Sequence, residues 1–65
     1  MKTDISIENI HNVRELYPHI NNIEAHIILL RYHGYKNYEI AKIYHVTRQT
    51  IQNKLRIIRS KILPI

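Results

Sequence analysis

The sequence predicts a small all-α domain of four helices, on three observations. Apolar residues recur at spacings of three and four rather than in strand-like alternation. Each such segment is bounded by a residue suited to capping or stopping a helix. The strongest chain breakers, Gly34, Pro18 and Pro64, all fall between or beyond the segments, and the chain has no other Gly or Pro. At 65 residues it forms one domain, residues 1–65, and a chain this short buries only about 60% of its unfolded surface.

The first helix runs from Ser6 to about Tyr17, with Ile7, Ile10, Val13, Leu16 and Tyr17 on one face. Ser6 caps it, Glu8 and Asn9 occupy its first turn, and Pro18 disfavours helical geometry at Tyr17. Residues 18–22 connect it to a second helix of about ten residues that starts at Asn22 as cap. Ile23, His26, Ile27 and Leu30 share one face there, and Ile28 and Leu29 widen it, which suits the middle of a core. Gly34 ends this helix, because a residue without Cβ readily takes the left-handed conformation.

A third helix is expected from Asn37 or Tyr38 to Tyr44, capped by Asn37, followed by a turn of His45, Val46 and Thr47. Thr47 then caps a last helix from Arg48 to about Leu63, stopped by Pro64. At 100° per residue, Ile51, Leu55, Ile58 and Ile62 fall within about 60° of arc and form its buried stripe. Gln49, Gln52, Asn53, Arg56 and Ser60 lie opposite. Two helices that cross closely need a small residue at the crossing, and Ala41 stands there, with Ile40, Val46 and Ile51 as apolar glue. This is the spacing of a helix-turn-helix, about residues 37–63, with residues 6–33 as its support.

Charge divides along the chain. Residues 1–30 set Lys2 and Arg14 against Asp4, Glu8, Glu15 and Glu24, a net of −2. Residues 31–65 set eight Lys and Arg against Glu39 alone, a net of +7. A basic half on a small domain is the footprint of a polyanion binder, because phosphate contacts release condensed counterions. A solvated basic surface is the plainer explanation of charge taken alone, so the helix-turn-helix spacing carries the functional expectation: double-stranded DNA, with the last helix in the major groove. Gln and Asn can pair with adenine and Arg with guanine there. Arg48, Gln49, Gln52, Asn53 and Arg56 are the expected base readers. Lys36, Asn37, Tyr38, Lys42, Thr47, Lys54 and Arg59 are the expected phosphate contacts.

Several function classes find no residues to support them. No Cys is present, so thiolate metal sites and disulfides are excluded. The five histidines, 11, 19, 26, 33 and 45, never pair at three or four on one helix, so no metal or other cofactor is expected, and His26 reads as a core-edge residue. Below about pH 6 these histidines would add charge and strengthen nonspecific DNA binding. There is no phosphate-cradling glycine loop, no catalytic constellation and no room for an enzyme pocket beside a core. The longest apolar run, Ile27 to Leu30, is far short of the ~20 residues that span a bilayer. A soluble cytoplasmic, nucleoid-associated protein is expected, of a size that suits a phage or plasmid gene.

Over residues 29–63, LLRYHGYKNYEIAKIYHVTRQTIQNKLRIIRSKIL, the chain resembles region four of bacterial sigma factors, the promoter-binding helix-turn-helix. Arg31, Tyr32, the YEIA of 38–41, the VTRQTI of 46–51, Leu55, Arg59 and Lys61 carry the likeness. The G-x-x-N-x-E-I-A of 34–41 is similar to LuxR-type response-regulator domains. The resemblance covers about residues 20–63 and implies a DNA-binding fold. From sigma factors it also implies RNA polymerase or a sigma factor as partner, met by apolar residues of the first two helices. A homodimer is expected because one 65-residue module rarely yields sufficient specificity. In the sigma family the residues matching Arg48, Gln49, Gln52 and Asn53 lie at the groove. Gln49 and Gln52 stand where primary sigma factors often have Glu and Arg, so the −35 preference of those proteins is not implied. A basic protein that coats nucleic acid without sequence preference is the third reading.

Overall fold

The computed structural model describes residues 6–62 and contains four helices: α1 (Ile7–Leu16), α2 (Asn22–Tyr32), α3 (Asn37–Tyr44) and α4 (Arg48–Ile62). The expected end of the last helix at Leu63 and its stop at Pro64 lie outside the described residues. The all-α, four-helix expectation holds, with no strand among the described residues.

The core forms where α2, α3 and α4 meet. Ile27 and Leu30 of α2, Ile40 and Ala41 of α3, and Ile51, Leu55 and Ile58 of α4 make one buried cluster. Ala41 has the small side chain that lets α3 and α4 approach, and the α4 stripe is the predicted one, with Ile62 half-buried at its end. Val46 departs from expectation: at 41% exposure it does not glue the turn. Ile40 and Ile51, on the helices flanking the turn, fill the space and leave Val46 outside.

Capping explains where each helix begins. Ser6 Oγ accepts from the Asn9 N–H at 3.1 Å, as expected for α1. The cap of α2 is Asn21 rather than Asn22: its extended backbone lets Oδ1 accept from the Glu24 N–H at 2.8 Å, and Glu24 Oε1 accepts from the Asn21 N–H at 2.9 Å. Asn22 instead accepts from Arg14 Nη1 at 3.0 Å. Lys36, not Asn37, occupies the cap position of α3. A lysine side chain has no acceptor, and Glu39 supplies the interaction by accepting from the Lys36 N–H at 2.8 Å. Thr47 caps α4 through a bond from the Thr50 N–H at 3.2 Å.

Two helices end in the same way. Gly34, at φ +94°, closes α2, with Tyr35 N–H bonded to Leu30 O and Gly34 N–H to Arg31 O. His45, at φ 56° and ψ 43°, closes α3, with Val46 N–H bonded to Ala41 O and His45 N–H to Lys42 O. A side chain in this left-handed region costs roughly 1–2 kcal/mol. His45→Gly is therefore expected to stabilise the domain by up to about 1 kcal/mol, since glycine's greater freedom in the unfolded chain offsets part of the relief. For a domain this small that is a rise of roughly 4–8 °C in a thermal melt. An unchanged or lower midpoint would refute this account of the turn.

α1 is the least embedded element. It contacts α2 and no other helix, and none of its residues is buried. Of its predicted stripe, Ile10 and Val13 are half-buried, while Ile7 and Leu16 are 85% and 74% exposed. The connection after it supplies the missing core residue, because Ile20 is buried and its carbonyl accepts from Arg14 Nε at 3.3 Å. On α2, Ile23 points to solvent at 52% exposure, and Ala25 takes the buried place beside Ile27.

Among the described residues one polar residue is inside. Glu24, at the start of α2, is buried and receives Lys61 Nζ at 3.0 and 2.8 Å on its two oxygens. The pair joins the first turn of α2 to the last turn of α4. The Lys61 hydrogen bond holds the carboxyl below its ordinary pKa, helped by the Asn21 N–H and the charge of Lys54 and opposed by burial.

Candidate nucleic-acid interface

α4 is held from one side, so its other side is free. Ile51, Leu55 and Ile58 are buried, whereas Arg48, Gln49, Gln52, Asn53, Arg56, Arg59 and Ser60 are all exposed. These are the positions about 180° from the stripe together with its Arg48–Arg59 edge. No acidic side chain occurs on α4, so nothing on this helix competes for an incoming anion. The five expected base readers thus share one continuous surface.

Their side chains also touch one another. Asn53 Oδ1 accepts from Gln49 Nε2 at 3.3 Å and from Arg56 Nη2 at 3.1 Å, which makes a row along the face. Such a surface offers many donors and few acceptors, a composition that fits phosphates and base edges.

The expected phosphate contacts divide into groups. Arg59 lies on the same edge of α4 as Arg48, and Lys54 lies on the other, where its charge reaches Glu24. Lys36, Tyr38 and Lys42 are exposed around the start and outer face of α3, Tyr38 and Lys42 one turn apart. Asn37 differs, since its Oδ1 is buried without a hydrogen-bond partner. Thr47 is exposed, but its oxygen serves the α4 cap and lies 2.9 Å from Thr50 Oγ1. Its contribution to anion binding would be the helix N-terminus it keeps in place.

The histidines do not converge. His26 Nδ1 is hydrogen-bonded to the Tyr44 hydroxyl, and the two rings meet edge to face with centroids 5.6 Å apart. Burial pushes the His26 pKa down and the Tyr44 pKa up, so both favour their neutral forms and tie α2 to α3. His11 Nε2 lies 3.0 Å from Glu15 on the surface of α1. Among the described residues no group of three or more His, Asp or Glu is placed to hold a metal ion.

Apolar residues of the first two helices form a second surface. Leu16, Tyr17, Ile28, Leu29, Tyr32 and Ile62 line an open groove of about 430 Å³ between α1, α2 and the end of α4. Its walls are apolar, and Tyr32 is 86% exposed. The exposed half of the α1 stripe was the available signal, because an apolar face with nothing to cover it must open to solvent. Among the described residues no helix is long and apolar enough to cross a membrane. Compared with known proteins, the chain matches no family model, no curated protein and no solved structure.

Proposed function

We propose that this protein is a sequence-specific regulator of transcription that binds double-stranded DNA, with α3 and α4 acting as a helix-turn-helix and α4 lying in the major groove. The observation that carries this reading is the two-sidedness of α4. One side is anchored by Ile51, Leu55 and Ile58, and the other presents Arg48, Gln49, Gln52, Asn53 and Arg56 with no acid among them. Lys36, Tyr38, Lys42, Lys54 and Arg59 would meet the phosphates on either side of the groove. A single small module contacts few bases, so a homodimer on a two-fold operator is the assembly this reading favours. No catalytic role is proposed.

Arg48→Ala and Gln52→Ala test it. Each is expected to weaken binding to a selected site by roughly 1–3 kcal/mol, about 5- to 150-fold. Binding to random duplex should fall much less for Gln52→Ala, which carries no charge. Equal losses on selected and random DNA would eliminate base readout and leave a protein that coats nucleic acid.

The apolar groove favours a second reading, a sigma region four-like module that docks on RNA polymerase or a sigma factor and modulates promoter recognition. Exposed Leu16 and Tyr32 would make that contact. Copurification with polymerase from DNA-free extract, abolished by Leu16→Glu, would support it.

A further inference from the structure

The hydrogen-bonded row on α4 makes base preference a matter of which atoms remain unoccupied. Asn53 has one carbonyl oxygen with two lone pairs, and Gln49 and Arg56 occupy both. What Asn53 still offers is its two N–H donors. Arg56 keeps four of its five N–H groups and has no acceptor at all. The Asn53–Arg56 end of the row is therefore a donor-only surface. Gln49 retains its carbonyl oxygen as well as one N–H, and Gln52 makes no side-chain hydrogen bond among the described residues, so these two can still both donate and accept.

Base edges in the major groove differ in this respect. Guanine presents two acceptors, N7 and O6, whereas adenine presents one acceptor and one donor and cytosine a donor at N4. A free Asn suits adenine because its carbonyl accepts from N6. With that carbonyl occupied by Gln49 and Arg56, the match moves to guanine. We propose that Asn53 is a specificity-determining residue that, together with Arg56, selects guanine, while adenine is read by Gln49 and Gln52. This assignment rests on the DNA-reading function proposed above. It differs from what residue type alone would imply for Asn53.

The experiment is selection of bound sequences from random duplex DNA, followed by affinity measurements on the selected site. The wild-type protein is expected to enrich a guanine, and replacing that guanine by 7-deazaguanine, which lacks the N7 acceptor, should weaken binding about tenfold. Asn53→Asp keeps an acceptor for Gln49 and Arg56 but removes both donors. It is expected to lower the ratio of affinities for the guanine and adenine versions of the site by about tenfold, a ratio in which any uniform loss from the added charge cancels. An enriched motif without guanine at the position affected by Asn53→Asp, or an unchanged ratio in that variant, would overturn the assignment while leaving base reading intact. A wild-type protein that binds duplex DNA but enriches no motif would overturn both. Asn53 is exposed, so Asn53→Asp is expected to fold, and the 7-deazaguanine measurement uses the wild-type protein and is independent of the variant's stability.

Discussion

Ile58→Ala is expected to cost about 3 kcal/mol of folding free energy, within the range of roughly 2–5 kcal/mol for truncating a buried Ile to Ala. Ile58 is fully buried in the second half of α4, in the cluster that brings α4 against α2 and α3. A chain of 65 residues has only ~3–10 kcal/mol in total, so the variant loses roughly a third or more of its stability. Ile58→Val should cost about 1 kcal/mol. Urea titration followed by far-ultraviolet circular dichroism measures both. A loss below 1 kcal/mol for the alanine variant would mean that this half of α4 does not anchor the helix.

Lys61→Met is expected to be nearly as damaging, at about 2–3 kcal/mol, because it leaves the Glu24 carboxylate buried with no cation on its oxygens. The figure is held below the usual range for buried pairs because about a third of the Lys61 side chain remains exposed. Glu24→Gln should cost less, about 1 kcal/mol, since an amide oxygen can still accept from the Asn21 N–H and the freed ammonium can turn to water. The double variant should recover part of the Lys61→Met loss. An additive double variant would show that the two residues do not interact.

The same pair contributes to the acid sensitivity of the fold. Glu24 has a lowered pKa when folded, so its stabilisation is complete above the unfolded value of about 4.3 and is lost as pH falls through the lower folded value. His26 also has a lowered folded pKa, and below about pH 6.5 the unfolded chain takes up a proton that the folded chain resists. Stability should therefore begin to decline near pH 6.5 and decline further below pH 4.3. In Glu24→Gln the second decline should be smaller.

Much of this structure was readable because helical periodicity reports which face a helix can bury. The α4 stripe, Ala41, Gly34 and the Thr47 cap were each legible from spacing and residue type. The exposure of Arg48, Gln49, Gln52, Asn53 and Arg56 follows from the stripe by geometry alone. Periodicity does not report whether a partner covers the face it identifies, and so α1 appeared more embedded than it is. Ile20 was missed because it sits in a connection without a period, and Glu24 because its partner is 37 residues away. The bonds from Gln49 and Arg56 to Asn53 depend on side-chain conformations that no spacing rule contains.

The contact between Glu24 and Lys61 also bears on how α4 would meet a ligand. Its first turn is fixed by Thr47 and the tight turn before it, and its last turn by a two-oxygen contact to the start of α2. A helix secured at both ends loses its freedom to fray when the chain folds, not when a target arrives. For a binding helix of this kind the entropy of ordering is already settled in the free protein, and association draws on its contacts with less opposition.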